Sequence, residues 1–160
     1  MTLLLVRAPL LLLLASGAIL GTALASQYWG GLTPCELCYW QRYAYLAAMA
    51  PALLALFVPG RFRAVLLGVT ALVFLGGAGI AFFHVGVEQK WWAGLSGCGV
   101  TGGADSIEAL KAQIMAAPVV RCDDIAFQLL GISMAGWNVL ASVLLAGFAA
   151  LAARVTWQKG

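Results

Sequence analysis

Four long apolar stretches run through the chain, at about residues 8–26, 40–58, 64–87 and 131–153. Each comes close to the roughly 20 residues that a helix needs to cross a ~30 Å hydrocarbon core. Backbone amides in lipid must find partners within their own segment, so each stretch is predicted to be a helix. Polar positions collect between them, in a segment at about 27–38, a short connection Pro59-Gly60-Arg61-Phe62-Arg63, and a long segment at about 88–130. Within the last, Asp105 can cap a helix with Glu108 three residues on. Ile107, Leu110 and Ile114 then share one face, and Pro118 ends the pattern, so Asp105 to Ala117 reads as a short amphipathic helix. It is expected either to lie on a membrane surface or to pack on the other helices.

Composition changes this picture from a set of helices to a class of protein. Of 160 residues, 63% are hydrophobic and 9% charged, and the mean hydropathy is +0.97. A water-soluble domain of that size needs more polar surface to cover its core. The expected fold is therefore all-α, a single integral membrane domain over 1–160, built as a four-helix bundle with the amphipathic helix in its long loop. A net charge of +3 with no long basic stretch gives no reason to expect a nucleic-acid partner. A monomer is expected. Arg7, the Leu-rich run and Ala23-Leu24-Ala25 together imitate a secretory signal with its cleavage site. The run exceeds the usual apolar region of such signals, ~7–15 residues, which favours a retained anchor.

Charge then orients the spans. With four crossings both termini share a side with the Arg61–Arg63 connection. That side holds Arg7, Arg61, Arg63, Arg154 and Lys159 and no acid. The other side holds Arg42, Lys90, Lys111 and Arg121 with all six acids, Glu36, Glu88, Asp105, Glu108, Asp123 and Asp124. Counting Lys and Arg in short loops places the termini and the Arg61–Arg63 connection on the cytoplasmic side of the membrane. All four cysteines, Cys35, Cys38, Cys98 and Cys122, then face the outer, oxidising compartment, where an even number of cysteines normally forms disulfides.

The cysteines carry the candidate chemistry. Pro34-Cys35-Glu36-Leu37-Cys38 lies where the first outer loop meets the second span. Cysteines three apart at a helix start can bridge, and the free amides and dipole there favour a thiolate. Arg42 follows Cys38 by one turn, ~6 Å along the axis, on the same face. A cation there favours the Cys38 thiolate and suits an electron acceptor that gains negative charge. Alternatively, Arg42 snorkels to the outer headgroups; against this, an ionisable residue within a span is by default a functional candidate. Gly97, Gly99, Gly102 and Gly103 surround Cys98 and give a segment able to bring it out to a partner protein. A plain structural Cys98–Cys122 bridge fits the residues equally well. Zinc held by all four cysteines fits less well, because only the first pair has ligand spacing. Thiol–disulfide exchange moves two electrons without metal, and a dithiol at a membrane surface needs somewhere to discharge them. Quinone is the membrane-soluble two-electron carrier, so it is the expected cofactor.

These residues resemble a known family. Pro34-Cys35-Glu36-Leu37-Cys38-Tyr39-Trp40-Gln41-Arg42 is similar to the P-C-x-x-C-x-x-Q-R signature of the bacterial disulfide bond formation protein B (DsbB) family, a system that underlies the general account of how the periplasm is kept oxidising. The resemblance covers the whole chain: four spans, CxxC in the first outer loop, a separated cysteine pair in the second. Ile132-Ser133-Met134-Ala135-Gly136-Trp137-Asn138 also looks like a segment found in many members. The resemblance implies a dithiol–quinone oxidoreductase, with ubiquinone or menaquinone as acceptor. It implies that Cys98 and Cys122 form the disulfide that oxidises a periplasmic thioredoxin-fold thiol oxidase of the DsbA type, with Cys98 attacked. Electrons would pass through a Cys35–Cys122 bridge to Cys35–Cys38. Cys38 as thiolate would carry the charge-transfer interaction with quinone beside Arg42.

Other residues are weaker candidates. His84, the one histidine, can hydrogen-bond a quinone carbonyl or move its proton, although an interfacial histidine satisfied by a backbone carbonyl is the commoner case. Tyr39, Trp40, Tyr43, Trp91 and Trp92 read as an aromatic belt, one or two of which can wall a quinone ring. Asn138 reads as interhelical glue, and Gly17 with Gly21 as a close helix contact. Two rivals remain. A vitamin K epoxide reductase-type enzyme would carry its CxxC near the end of the last span, unlike this chain. A membrane scaffold or carrier with structural disulfides would bind no quinone.

Overall fold

The computed structural model describes residues 7–95, 106–116 and 120–159, without the side chains at 109, 110, 113, 114 and 116. Four long helices carry the fold: α1 (Ala8–Tyr28), α2 (Glu36–Leu54), α3 (Gly60–Glu88) and, after a short helix α4 (Ile107–Ala116), α5 (Met134–Lys159). α1, α3 and α5 are long and apolar enough to cross a membrane. α2 is not among them, because its first two turns carry Glu36, Gln41 and Arg42. α3 runs against both α2 and α5, and α1 touches the same two helices.

Local chemistry sets the helix ends. Pro9 sits in the first turn of α1, where its missing N–H is no loss. α2 begins earlier than the apolar pattern suggests because Cys35 caps it: Cys35 is extended (φ −81°, ψ 175°), and its sulfur accepts the Cys38 amide at 3.3 Å. Beyond Leu54 the chain tightens into two i→i+3 turns, Leu56 to Leu53 and Phe57 to Leu54, so α2 ends before Val58. α5 starts at Met134, where the hydroxyl of Ser133 accepts the Gly136 amide at 3.1 Å, the usual N-cap arrangement.

The packing puts small residues inside and large ones outside. Ala48, Ala52, Ala55, Ala71, Ala146, Ala149 and Ala152 are buried together with Leu67 and Phe74, while Leu72 and Leu144 on the same helices are exposed. Small residues let helix backbones approach, and a surface of leucines is stable only where the surroundings are as apolar as they are. Two of the long helices approach closely at Gly77 of α3, where a Cβ would meet that of Ala44 on α2 at 3.0 Å. The expected contact at Gly17 and Gly21 does not form: both positions are exposed, and a Cβ at either would meet nothing within 4 Å. The helix-packing role falls to Gly77 because α3, not α1, lies in the middle of the assembly.

No sequence signal announces the strand pair found among the described residues. β1 (Gln128–Leu129) and β2 (Ile132–Ser133) form a minimal antiparallel hairpin just before α5. Its two turn residues, Leu130 (φ 54°) and Gly131 (φ 77°), are both left-handed, as a mirror-image two-residue turn requires. Trp137 fastens the hairpin to α5 by donating its indole N–H to the Leu129 carbonyl at 3.1 Å. Of the expected amphipathic helix, Ile107–Ala116 is helical, whereas Asp105, Ala117 and Pro118 lie outside the described residues.

Candidate functional site

At the N-terminal end of α2 the two CxxC sulfurs lie 2.9 Å apart, as free thiols. The cap geometry brings them together: Cys35 turns its sulfur back over the first turn of the helix, and three residues return the chain to the same face. Both precede residue 40, where the predicted span begins. The hydrogen bond from Cys35 is the largest of the influences that hold the Cys38 thiol down at about 7. Burial opposes this, a backbone contact with Cys35 and the charge of Arg42 assist it, and Glu88 works against it. The same hydrogen bond, together with burial, pushes the Cys35 thiol far above its ordinary value. The pair is therefore asymmetric, with Cys38 the sulfur that ionises.

Cys122 arrives from a separate part of the chain. It is 1% exposed and packs in one cluster with Cys35, Leu37 and Val87, bordered by Cys38, Phe83 and Val120. Cys122 is disulfide-bonded. Cys98, expected to be the cysteine attacked by a partner, lies outside the described residues. On either side of Cys122, Arg121 forms a 2.6 Å ion pair with Asp123 and approaches Asp124 at 3.7 Å. Arg121 holds the Asp123 carboxyl below its ordinary value.

His84 reaches the same place from the last turn but one of α3. It is 5% exposed, with Nε2 3.6 Å from the Cys35 sulfur and Nδ1 2.8 Å from Gln41 Nε2. The ring also hydrogen-bonds to the Cys122 backbone, and Nε2 lies 3.9 Å from the carboxyl of Glu88. Both ring nitrogens are thus engaged within the protein. Ser133, from the cap of α5, donates to the other oxygen of Glu88 at 2.5 Å. A polar chain continues from Gln41 into the helix packing. Asn138 Nδ2 donates to Gln41 Oε1 at 2.5 Å, and Tyr45 donates to Asn138 Oδ1 at 2.6 Å while contacting Ser142 at 3.0 Å. Asn138 therefore does link α5 to α2.

Arg42 takes a different direction. Its guanidinium donates to Gln27 Oε1 at 2.6 Å and to the Ala23 carbonyl at 3.1 Å, both on α1, and lies over the Tyr39 ring with the centroid at 5.4 Å. Half-buried near the end of α1, it still acts on Cys38 through its charge. Tyr39, Trp40 and Tyr43 beside it are exposed, as a belt facing apolar surroundings would be. A cation, a partly exposed ionising thiol and exposed aromatic rings form a donor set that fits a quinone. The sulfurs of Cys35 and Cys38 and one nitrogen of His84 also lie within 4.8 Å of one another, short of the four ligands of a closed zinc site.

Glu88, Ser133 and Tyr45 escape sequence reasoning as members of the site, and Gln41 enters it only as part of the signature, with no role assigned. The signal that was available is polarity: a glutamine facing inward in a membrane helix needs a partner, and a glutamate at the end of an apolar helix needs a donor.

A family model described as "Disulfide bond formation protein DsbB" matches residues 6–152. A disulfide bond formation protein B of Chromohalobacter salexigens is 36% identical over 150 residues, covering 89% of this chain and 83% of that one. One of Aromatoleum aromaticum is 32% identical over 146 residues, covering 82% and 81%. An uncharacterized protein of Rickettsia prowazekii is 28% identical over 148 residues, covering 89% and 84%. No solved structure matches the chain.

Proposed function

The chain belongs to the DsbB family of membrane proteins, which act in disulfide bond formation, and on that premise we propose that it reoxidises a periplasmic thioredoxin-fold thiol oxidase of the DsbA type and passes the two electrons to membrane quinone. The observation that carries this reading is the burial of Cys122 in one cluster with Cys35, with the ionising Cys38 at its border. A disulfide cysteine from a loop and a dithiol at a helix start have no structural need of each other. Exchange between them does need contact.

The proposed sequence conserves electrons at every step. A thiolate of the reduced partner attacks Cys98 of a Cys98–Cys122 disulfide, forming a mixed disulfide and releasing Cys122 as thiolate. Cys122 attacks Cys35 of an oxidised Cys35–Cys38 pair, and Cys38 leaves as thiolate. The lower affinity of Cys38 for its proton makes it the better leaving group of the two. The second thiolate of the partner then closes the partner's own disulfide and frees Cys98, which returns to Cys122 and releases Cys35. Quinone, when bound, takes up the two electrons and two protons that allow Cys35–Cys38 to close again. Arg42 would hold it electrostatically, with Tyr39 or Trp40 as an aromatic wall. We place the cysteines on the periplasmic side of the inner membrane and both termini in the cytoplasm, with four spans, α2 included.

Anaerobic mixing of the purified protein with ubiquinone and a reduced DsbA-type partner tests this. Quinone reduction is expected, and it is expected to vanish in Cys38→Ser. A rate unchanged by that substitution overturns the reading and leaves a scaffold with structural disulfides. In Cys122→Ser, where Cys98 has no disulfide to offer, the Cys98 thiolate is expected to attack the disulfide of the oxidised partner and hold it as a mixed disulfide, releasing one partner thiolate.

A further inference from the structure

Hydrogen-bond direction around His84 is decided by one carbonyl. Amide orientation and imidazole tautomer are ordinarily interchangeable assignments. Here Gln41 Nε2 also donates to the Leu37 carbonyl at 3.2 Å, and a carbonyl can only accept. The NH2 end of Gln41 therefore faces both Leu37 and His84, so His84 Nδ1 accepts and its lone pair is used. The proton of the neutral ring then sits on Nε2, shared between the Cys35 sulfur and the backbone of Cys122. Asn138 fits the same orientation, since its amide N–H meets Gln41 Oε1 at the opposite end.

We infer that Gln41 locks His84 as the Nε2–H tautomer and that the two are positioning residues in a one-way hydrogen-bond chain aimed at the Cys38 sulfur. Tyr45 donates to Asn138, Asn138 to Gln41, Gln41 to His84, His84 to Cys35, and Cys35 to Cys38. Every donor points the same way, from the middle of the helix packing to the sulfur that ionises. Bonds aligned in this manner polarise one another in a poorly solvated interior. No bond is made or broken in this chain. It holds negative charge on Cys38 and supplies Cys35 with a donor whenever Cys35 itself is the thiolate. The inference deepens the proposed function, since it rests on Cys38 being the discharging sulfur. It also bears on metals: a protonated Nε2 has no lone pair for an ion, which leaves the two sulfurs and His84 short of a third ligand.

The groups that face this chain are Cys35, Cys38 and Gln41 on α2, Glu88 on the same helix as His84, and the backbone of Cys122 from the loop. Arg42 acts on Cys38 from its bonds to α1.

The chain has one histidine, so 15N-histidine labelling of the full-length, dithiol-reduced protein in nanodiscs gives a single imidazole. The expected spectrum shows Nε2 protonated and Nδ1 bare at a pH where the ring is neutral. A ring protonated on Nδ1 overturns the inference, and this measurement needs no variant. In a Cys98→Ser/Cys122→Ser background, Gln41→Leu is expected to mix the tautomers and to raise the midpoint of Cys38 alkylation by about one pH unit, tenfold in the thiolate equilibrium. An unmoved midpoint with an unmixed tautomer overturns the lock. His84→Gln, whose amide offers an N–H at similar reach, is expected to retain more of the effect than His84→Leu. Quinone reduction is read separately, so a failed lock and a failed relay are distinguishable.

Discussion

The alanine-lined core and the small cluster around Cys35 hold the same helices by different means. In the core, Ala48, Ala52, Ala149 and Ala152 meet Leu67 and Phe74 across three helices, and the contacts are almost wholly apolar. Near Cys35 the buried apolar residues are few, and hydrogen bonds among Gln41, His84, Glu88, Ser133 and Asn138 do most of the joining. Dispersion forces act over many atoms and tolerate small displacements, whereas a hydrogen bond weakens steeply with angle. One region can be adjusted without loss of chemistry. The other sets where charge resides.

Substitutions can separate the two regions, beginning with the largest effect. Leu67→Ala, at a fully buried core position, is expected to cost about 2–5 kcal/mol through lost contacts and a cavity. Unfolding in mixed micelles would measure it, with the Cys38 alkylation midpoint unchanged; a shifted midpoint would show the regions to be coupled. Ser133→Ala removes both the cap of α5 and the donor to Glu88, with an expected cost of about 2 kcal/mol. Here the Cys38 midpoint is expected to move as well, because Glu88 acts on that thiol. In the unsubstituted protein, Cys38 alkylation should rise about tenfold between pH 6 and pH 8 and then level off, because the thiolate forms as pH passes the value of about 7. A profile that keeps climbing past pH 8 would mean that Cys35 does not hold the Cys38 thiol down. Arg121→Ala breaks an ion pair that is more than half exposed on the arginine side, and unfolding should be unchanged by it, since exposed pairs contribute little.

Some of this was legible in the residues and some was not. Apolar windows located the long helices because α1, α3 and α5 are apolar over most of their length and α2 is apolar beyond its first two turns. They misjudged the start of α2 because the Cys35 cap lies outside the apolar run. The hairpin was invisible: Gly131 signals a turn, but Leu130 is a poor candidate for a left-handed backbone, and two-residue strands leave no alternation. The spacing of Cys35 and Cys38 announced two sulfurs able to meet, as they do at 2.9 Å. It could not show His84 arriving from another helix, nor Cys122 buried beside the pair, because such contacts depend on how α3 and the loop pack. The small-xxx-small pattern at Gly17 and Gly21 misled, since a pattern on one helix does not say whether a neighbour lies on that side.

The capping sulfur of Cys35 has a practical consequence for genetics. Serine places a hydroxyl where the thiol accepted the Cys38 amide, and it is among the preferred residues for opening a helix. Alanine leaves that amide without a partner. Under the proposed function, Cys35→Ser is therefore expected to silence electron exchange while keeping the first turn intact, and Cys35→Ala to fray that turn as well, by about 1 kcal/mol. At Cys38 that distinction does not arise, so a difference between serine and alanine alleles confined to Cys35 would report on folding and not on redox chemistry.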